Sequence, residues 1–97
     1  MTDIPELVKQ YESRVGLREG MIFEHGGTHI VSHHRQVVMM VIRQYLGLSH
    51  SGMARAFNRT HRTTLRHAEN AVRKRMDAGD LDTARCVSIA REICEAA

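Results

Sequence analysis

The sequence predicts an all-α fold, a compact bundle of about six helices. Three observations carry this. Apolar residues recur at spacings of three and four along almost the whole chain. Capping residues and glycines punctuate that pattern at intervals suited to helices of one to five turns. No stretch alternates apolar and polar residues as a strand does, and no repeat or low-complexity segment is present. A chain of 97 residues is enough for one small domain, 1–97, with a modest core and little room for a deep catalytic pocket.

Asp3 and Glu6 are spaced as a capping box before Ile4, Leu7, Val8, Tyr11 and Val15, which predicts a first helix over 4–14. Gly16 closes it. Leu17 to Phe23 is expected to form a short second helix, with Leu17, Met21 and Ile22 inward. Gly26-Gly27 breaks the pattern, and 24–31 reads as a loop. Ser32 can cap a third helix to Leu46, apolar on most of its surface through Val37–Ile42 and therefore central, with Gly47 as its stop. Ser49 can cap a short fourth helix to Phe57, with Met53, Ala54 and Phe57 inward. Thr60 can cap a fifth from His61 to Met76, whose inward stripe is Leu65, Ala68, Val72 and Met76. Ala78-Gly79-Asp80 breaks it, and a last helix is expected over 81–95. Tyr11 and Tyr45 read as packing residues.

Charge is unevenly distributed. Residues 54–76 carry seven Arg or Lys and one acid, whereas 1–30 carry three basic and five acidic residues and 77–97 carry two and five. A basic block between acidic flanks suggests a polyanion-facing surface. Arginine dominates it, and its planar fork suits phosphates and guanine edges. The longest apolar run, Val37–Ile42, is far too short to span a membrane, and acids within the first 20 residues argue against a secretory signal. The expectation is a cytoplasmic, nucleoid-associated protein with no membrane partner. Cys86 and Cys94, eight residues apart on one helix, would be separated by about 12 Å and read as buried free thiols.

Phe57 ends one apolar series and Leu65 begins the next. Short helix, tight turn and basic helix together make a helix-turn-helix pattern. The second helix of that motif enters the major groove with its N-terminal residues against base edges. His61, Arg62 and Thr63 occupy its first turn, with Arg66, His67 and Asn70 on the side opposite the apolar stripe. Arg62 or Arg66 can donate two bonds to guanine, and Thr63 and Thr64 can offer a hydroxyl to a base or phosphate and a methyl to thymine. Arg55, Arg59, Arg73, Lys74 and Arg75 suit phosphates, with Thr60 at the helix start.

These residues carry a resemblance. Arg35-Gln36, Ser49, Met53, Arg55-Ala56-Phe57, Thr63-Thr64-Leu65 and His67-Ala68 fall at the spacing of R-Q-x-A-M-x-L-x-R-x-L followed by S-L-P-E-I-G-x-x-F-G-G-R-D-H-T-T-V-x-H-A. That pattern belongs to the C-terminal DNA-binding domain of the bacterial replication initiator DnaA, which the chain resembles over about 4–76. The resemblance implies a Trp-repressor-like helix-turn-helix standing alone. It implies DNA contacts for Arg35 and Gln36 and base or phosphate contacts for Thr63 and Thr64, with His67 on the same helix. His61-Arg62 stands where the family has D-H, and Asn58-Arg59-Thr60 replaces G-G-R. No arginine occupies the loop before Arg35, where the family has one for the minor groove. The implied scaffold is therefore the family's, with a different target sequence. With no phosphate-binding loop G-x-x-x-x-G-K-[ST] in the chain, the resemblance points to a bacterial or phage-like transcription regulator rather than an initiator.

The alternative reading is an adaptor that recruits polymerase or replication machinery to DNA. Helix 81–95, outside the resemblance, either closes the core or presents its apolar stripe to a protein partner or a second copy. Seven histidines raise the question of a metal, but no ligand spacing accompanies them. Neither a metal nor another cofactor is expected. No nucleophile–base pair stands out, so no enzyme is expected, and aromatic residues are too few for single-strand stacking platforms.

Overall fold

The computed structural model describes residues 3–24, 26–57 and 62–97, with backbone alone for 62–64. Five α-helices form: α1 (Ile4–Val15), α2 (His29–Leu46), α3 (His50–Ala56), α4 (Arg62–Asp77) and α5 (Leu81–Ala96). The described residues contain no strand. Among the described residues the bundle is all-α as expected, with five α-helices where about six were expected.

The missing helix is 17–23. Only Met21–Phe23 is helical there, as a single 3₁₀ turn. The cause is Glu12, buried on α1 at 1% exposure. Its carboxylate accepts from the N–H of Gly20 at 3.0 Å and of Ile22 at 2.9 Å. Those amides are thus satisfied from outside the segment, and Gly20, at φ 87°, takes a conformation an α-helix does not contain. The turn seats Ile22 in the core and stacks Phe23 against Phe57 with ring centres 5.0 Å apart.

Two caps differ from expectation. Asp3 sits at the α1 N-cap, but its side chain accepts no capping bond, and Glu6 accepts from Gln10 instead of closing a capping box. Helix α2 begins before Ser32: Thr28 caps it by accepting from the Val31 N–H, so the loop predicted to reach 31 ends at Thr28. Ser49 caps α3 as the sequence indicates. Gly16 and Gly47, both left-handed, close α1 and α2.

Helix α2 is the centre. All six residues of Val37–Ile42 are at most 3% exposed, which requires neighbours on every side. Helices α1, α3, α4 and α5 supply them. Helix α5 buries Thr83, Cys86, Val87, Ile89, Ala90, Ile93 and Cys94 against α2, α1 and α4. Of the two readings of 81–95, the one in which it closes the core accounts for its apolar stripe. Both cysteines are buried free thiols. Two residues read as core lie outside it. Met76, beyond Val72, runs past the packed part of α4 and is 37% exposed, and Tyr45 near the end of α2 is 49% exposed. No helix among the described residues is long and apolar enough to cross a membrane.

A half-buried histidine ties α1 to α2. Tyr11, 1% exposed, places its hydroxyl 2.7 Å from His34 Nδ1. Burial pushes the Tyr11 phenol well above its usual range, so the hydroxyl stays protonated and hydrogen-bonds the imidazole. Burial, then the charges of His33 and Arg85, hold His34 below the usual histidine range, against an opposing pull from Asp82. A folded-state pKa below the unfolded one contributes stability that is full above about pH 6.5 and is lost as pH falls through the folded value. The melting temperature is accordingly expected to drop between about pH 7.5 and about pH 5, and His34→Gln is expected to flatten that slope. Equal pH slopes in the wild type and the variant would rule His34 out as the source.

Candidate nucleic-acid interface

The sequence-predicted site residues divide into three sets. Arg59, Thr60 and His61 lie outside the described residues. Arg62, Thr63 and Thr64 form the first turn of α4 in backbone, and their side chains lie outside the description. The others have defined surroundings.

On α4 the two faces separate cleanly. Leu65, Ala68 and Val72 are at most 3% exposed and face the core. Arg66, His67, Asn70, Arg73 and Lys74 are exposed on the opposite side. Arg55 is exposed on α3. Among the described residues, Arg55, Arg66 and Lys74 have no ion-pair partner, so their charge is available to an external anion.

The acid of this stretch is Glu69, and it points inward at 4% exposure. Arg43 of α2 donates Nε–H to its Oε1. His50 of α3 brings Nε2 to 3.4 Å of the same oxygen, and Arg73 of α4 brings Nη2 to 3.8 Å of Oε2. Burial raises the Glu69 carboxyl, but Arg43 and His50 outweigh it and hold it below the usual range. Turning this acid inward leaves the outer side of α4 with basic and neutral groups alone from Arg66 to Lys74.

Arg35 corrects an expectation. It is 7% exposed, and its guanidinium is committed to backbone carbonyls: Nε to Ile22 O at 2.7 Å, and Nη2 to Glu24 O at 2.7 Å and Gly26 O at 3.2 Å. It holds the 22–26 loop rather than facing solvent, because the carbonyls freed by the lone 3₁₀ turn need donors. Gln36 is half-buried and accepts from Arg75 Nη1 at 3.0 Å, while Arg75 Nε donates to Thr83 Oγ1 at 3.2 Å. Arg75, grouped by sequence with the phosphate-contacting residues, instead bridges α2, α4 and α5.

No group of three or more His, Cys, Asp or Glu among the described residues is placed to hold a metal. Cys86 Sγ lies 3.8 Å from His34 Nδ1 beside a shallow cavity of about 200 Å³ between α2 and α5. The same nitrogen is hydrogen-bonded to the Tyr11 hydroxyl at 2.7 Å.

Sequence reasoning missed Glu12 and Glu69. The signal was present in both. Each charge occupies a core position in its helix, Glu12 between Val8 and Val15 and Glu69 between Leu65 and Val72. No family model, no curated protein and no solved structure matches the chain.

Proposed function

We propose that this chain is a sequence-specific double-stranded DNA-binding domain acting in transcription regulation, with α3 and α4 as its helix-turn-helix. One observation carries the reading: the acid within the basic block is withdrawn into the core, and the exposed side of α4 is left to Arg66, His67, Asn70, Arg73 and Lys74. Such a face suits a groove lined by phosphates and base edges. Helices α3 and α4 follow each other in the chain and pack together, as the two helices of the motif do. The resemblance to the DnaA C-terminal domain in Thr63-Thr64 and His67-Ala68 supports the same geometry. The molecule measures 33 × 28 × 26 Å, so one copy covers about one turn of duplex.

The roles then divide by position. Arg62, Thr63, Thr64 and Arg66, on the first turns of α4, read bases. Arg55 and Lys74 hold phosphates and set register without reading sequence. Selection of duplexes from a random pool is expected to enrich one sequence. On that duplex Arg66→Ala should cost about 1–3 kcal/mol and lower the ratio of specific to scrambled-duplex binding. Lys74→Ala should weaken binding to both duplexes alike and make the salt dependence shallower by about one unit. A pool that enriches nothing would remove the specific-binding reading. Equal losses on the two duplexes for Arg66→Ala would move Arg66 to the phosphate set.

A further inference from the structure

We infer that Glu69 is a positioning residue for DNA reading: with Arg43 and His50 it fixes the roll and register at which α4 faces the groove. The inference rests on the DNA-binding reading above. Its starting point is an anomaly of placement. A carboxylate on a helix facing a polyanion opposes binding if it points outward. Buried, it carries a desolvation cost that favourable partners must offset. Here the partners come from three helices: Arg43 on α2, His50 on α3 and Arg73 on α4 itself.

The apolar contacts of α4 cannot do this alone. Leu65, Ala68 and Val72 bury area, but area is non-directional and tolerates a small slide or roll. The carboxylate does not tolerate one. Its Oε1 accepts from Arg43 of α2 and has His50 Nε2 of α3 at 3.4 Å, a contact short of a hydrogen bond, so a displacement along or around the α4 axis separates at least one pair. Arg43 is itself held, because its Nη1 donates to Leu48 O at 3.3 Å across the corner between α2 and α3. The cluster therefore references α4 to that corner. Base contacts need such a reference, since they are made at fixed places on the base edges, whereas phosphate contacts survive a modest shift.

Charge and positioning predict opposite signs, which makes the test sharp. Glu69→Gln keeps the shape of the side chain and removes one negative charge from the basic block. By charge alone it strengthens binding to every duplex. By positioning it weakens binding to the selected one. The probes are the duplex enriched from a random pool by the wild-type protein and a scrambled duplex of the same composition. For E69Q, affinity for the scrambled duplex is expected to hold or rise while the specific-to-scrambled ratio falls about tenfold. R43Q should lower the ratio similarly, and the double variant should lose no more than the worse single one, as partners in one interaction do. Each variant is compared at a temperature where its helical circular dichroism matches the wild type. If E69Q does not fold, H50Q gives the same readout from the α3 side and is expected to lower the ratio severalfold. An unchanged or higher ratio in the folded variant overturns the positioning role and leaves DNA binding standing. Failure of the wild-type selection removes both.

Discussion

A chain ending at Gly79 is expected to lose the fold altogether. Helix α5 inserts Val87, Ile89 and Ile93 among the buried residues, with Cys86, Ala90 and Cys94 beside them. Fully burying an aliphatic side chain stabilises by roughly 1.5–3 kcal/mol, so those three alone contribute about 6 kcal/mol. Their removal also uncovers the faces of α1, α2 and α4 that α5 covers. Small domains are stable by about 5–15 kcal/mol in total, and this loss takes most or all of that. The measurement is urea or thermal unfolding followed by circular dichroism. The truncated chain should show weak helicity and no cooperative transition. A cooperative transition near that of the full chain would mean that 4–76 folds alone and that α5 is an accessory element with a stripe free for a partner. The experiment thus decides between the two sequence readings of 81–95 in solution. It also bears on the adaptor alternative, whose motivation was that stripe.

What could be read from the sequence followed the range of each interaction. Local signals were sufficient for most helices. Ser49, Gly16, Gly47 and the 78–80 break act within a turn of themselves, and α1, α3, α4 and α5 lie within a residue or two of the expected bounds. The misreadings of 17–23, Arg35 and Arg75 have a common origin in charges that act at a distance. Glu12 takes the amides of Gly20 and Ile22 and so prevents 17–23 from closing as an α-helix, a result that no periodicity in 17–23 displays. Arg35 sits between Val31 and Val38 at core spacing, which marks it as inward. Nothing local to it reveals that its partners are carbonyls 9 to 13 residues earlier. Glu69 has the same character, with Arg43 26 residues away on another helix. The basic outer face of α4 was legible because amphipathic spacing alone determines it, and Arg66, His67 and Lys74 are exposed as that spacing indicates. The inward turn of Arg75 was not, because it depends on Gln36 and Thr83 from two other helices. A residue's face follows from its own helix, while its partner follows from the whole fold.

Arg35 provides the sharpest consequence of that distinction. Arg35→Ala is expected to lower stability by about 3 kcal/mol. The reasoning is a sum over what is lost. A hydrogen bond from a charged donor contributes about 1.5–3 kcal/mol, and the bonds of Arg35 include two at 2.7 Å and a weaker one at 3.2 Å. The substitution also leaves the carbonyl of Ile22, a residue with no exposed surface, without that donor. Against this stands the relief of a desolvated guanidinium, which keeps the net well below the sum of three strong bonds. Arg35→Lys should recover only part of the loss, since one ammonium cannot reproduce the fork that reaches Ile22, Glu24 and Gly26 together. Chemical denaturation measures the stability of each variant. DNA binding supplies the second readout and separates the structural role from the direct contact that the DnaA resemblance implied. Where Arg35→Ala remains folded, its affinity for a selected duplex should stay within about twofold of wild type, and the salt slope should not change, because no phosphate or base contact is removed. A folded Arg35→Ala protein with undiminished stability and a slope shallower by about one unit would instead mean that Arg35 leaves its carbonyls and reaches DNA on binding. The geometry favours the first outcome: release would leave the carbonyls of Ile22, Glu24 and Gly26 without their donor and uncouple the loop that seats Ile22 in the core.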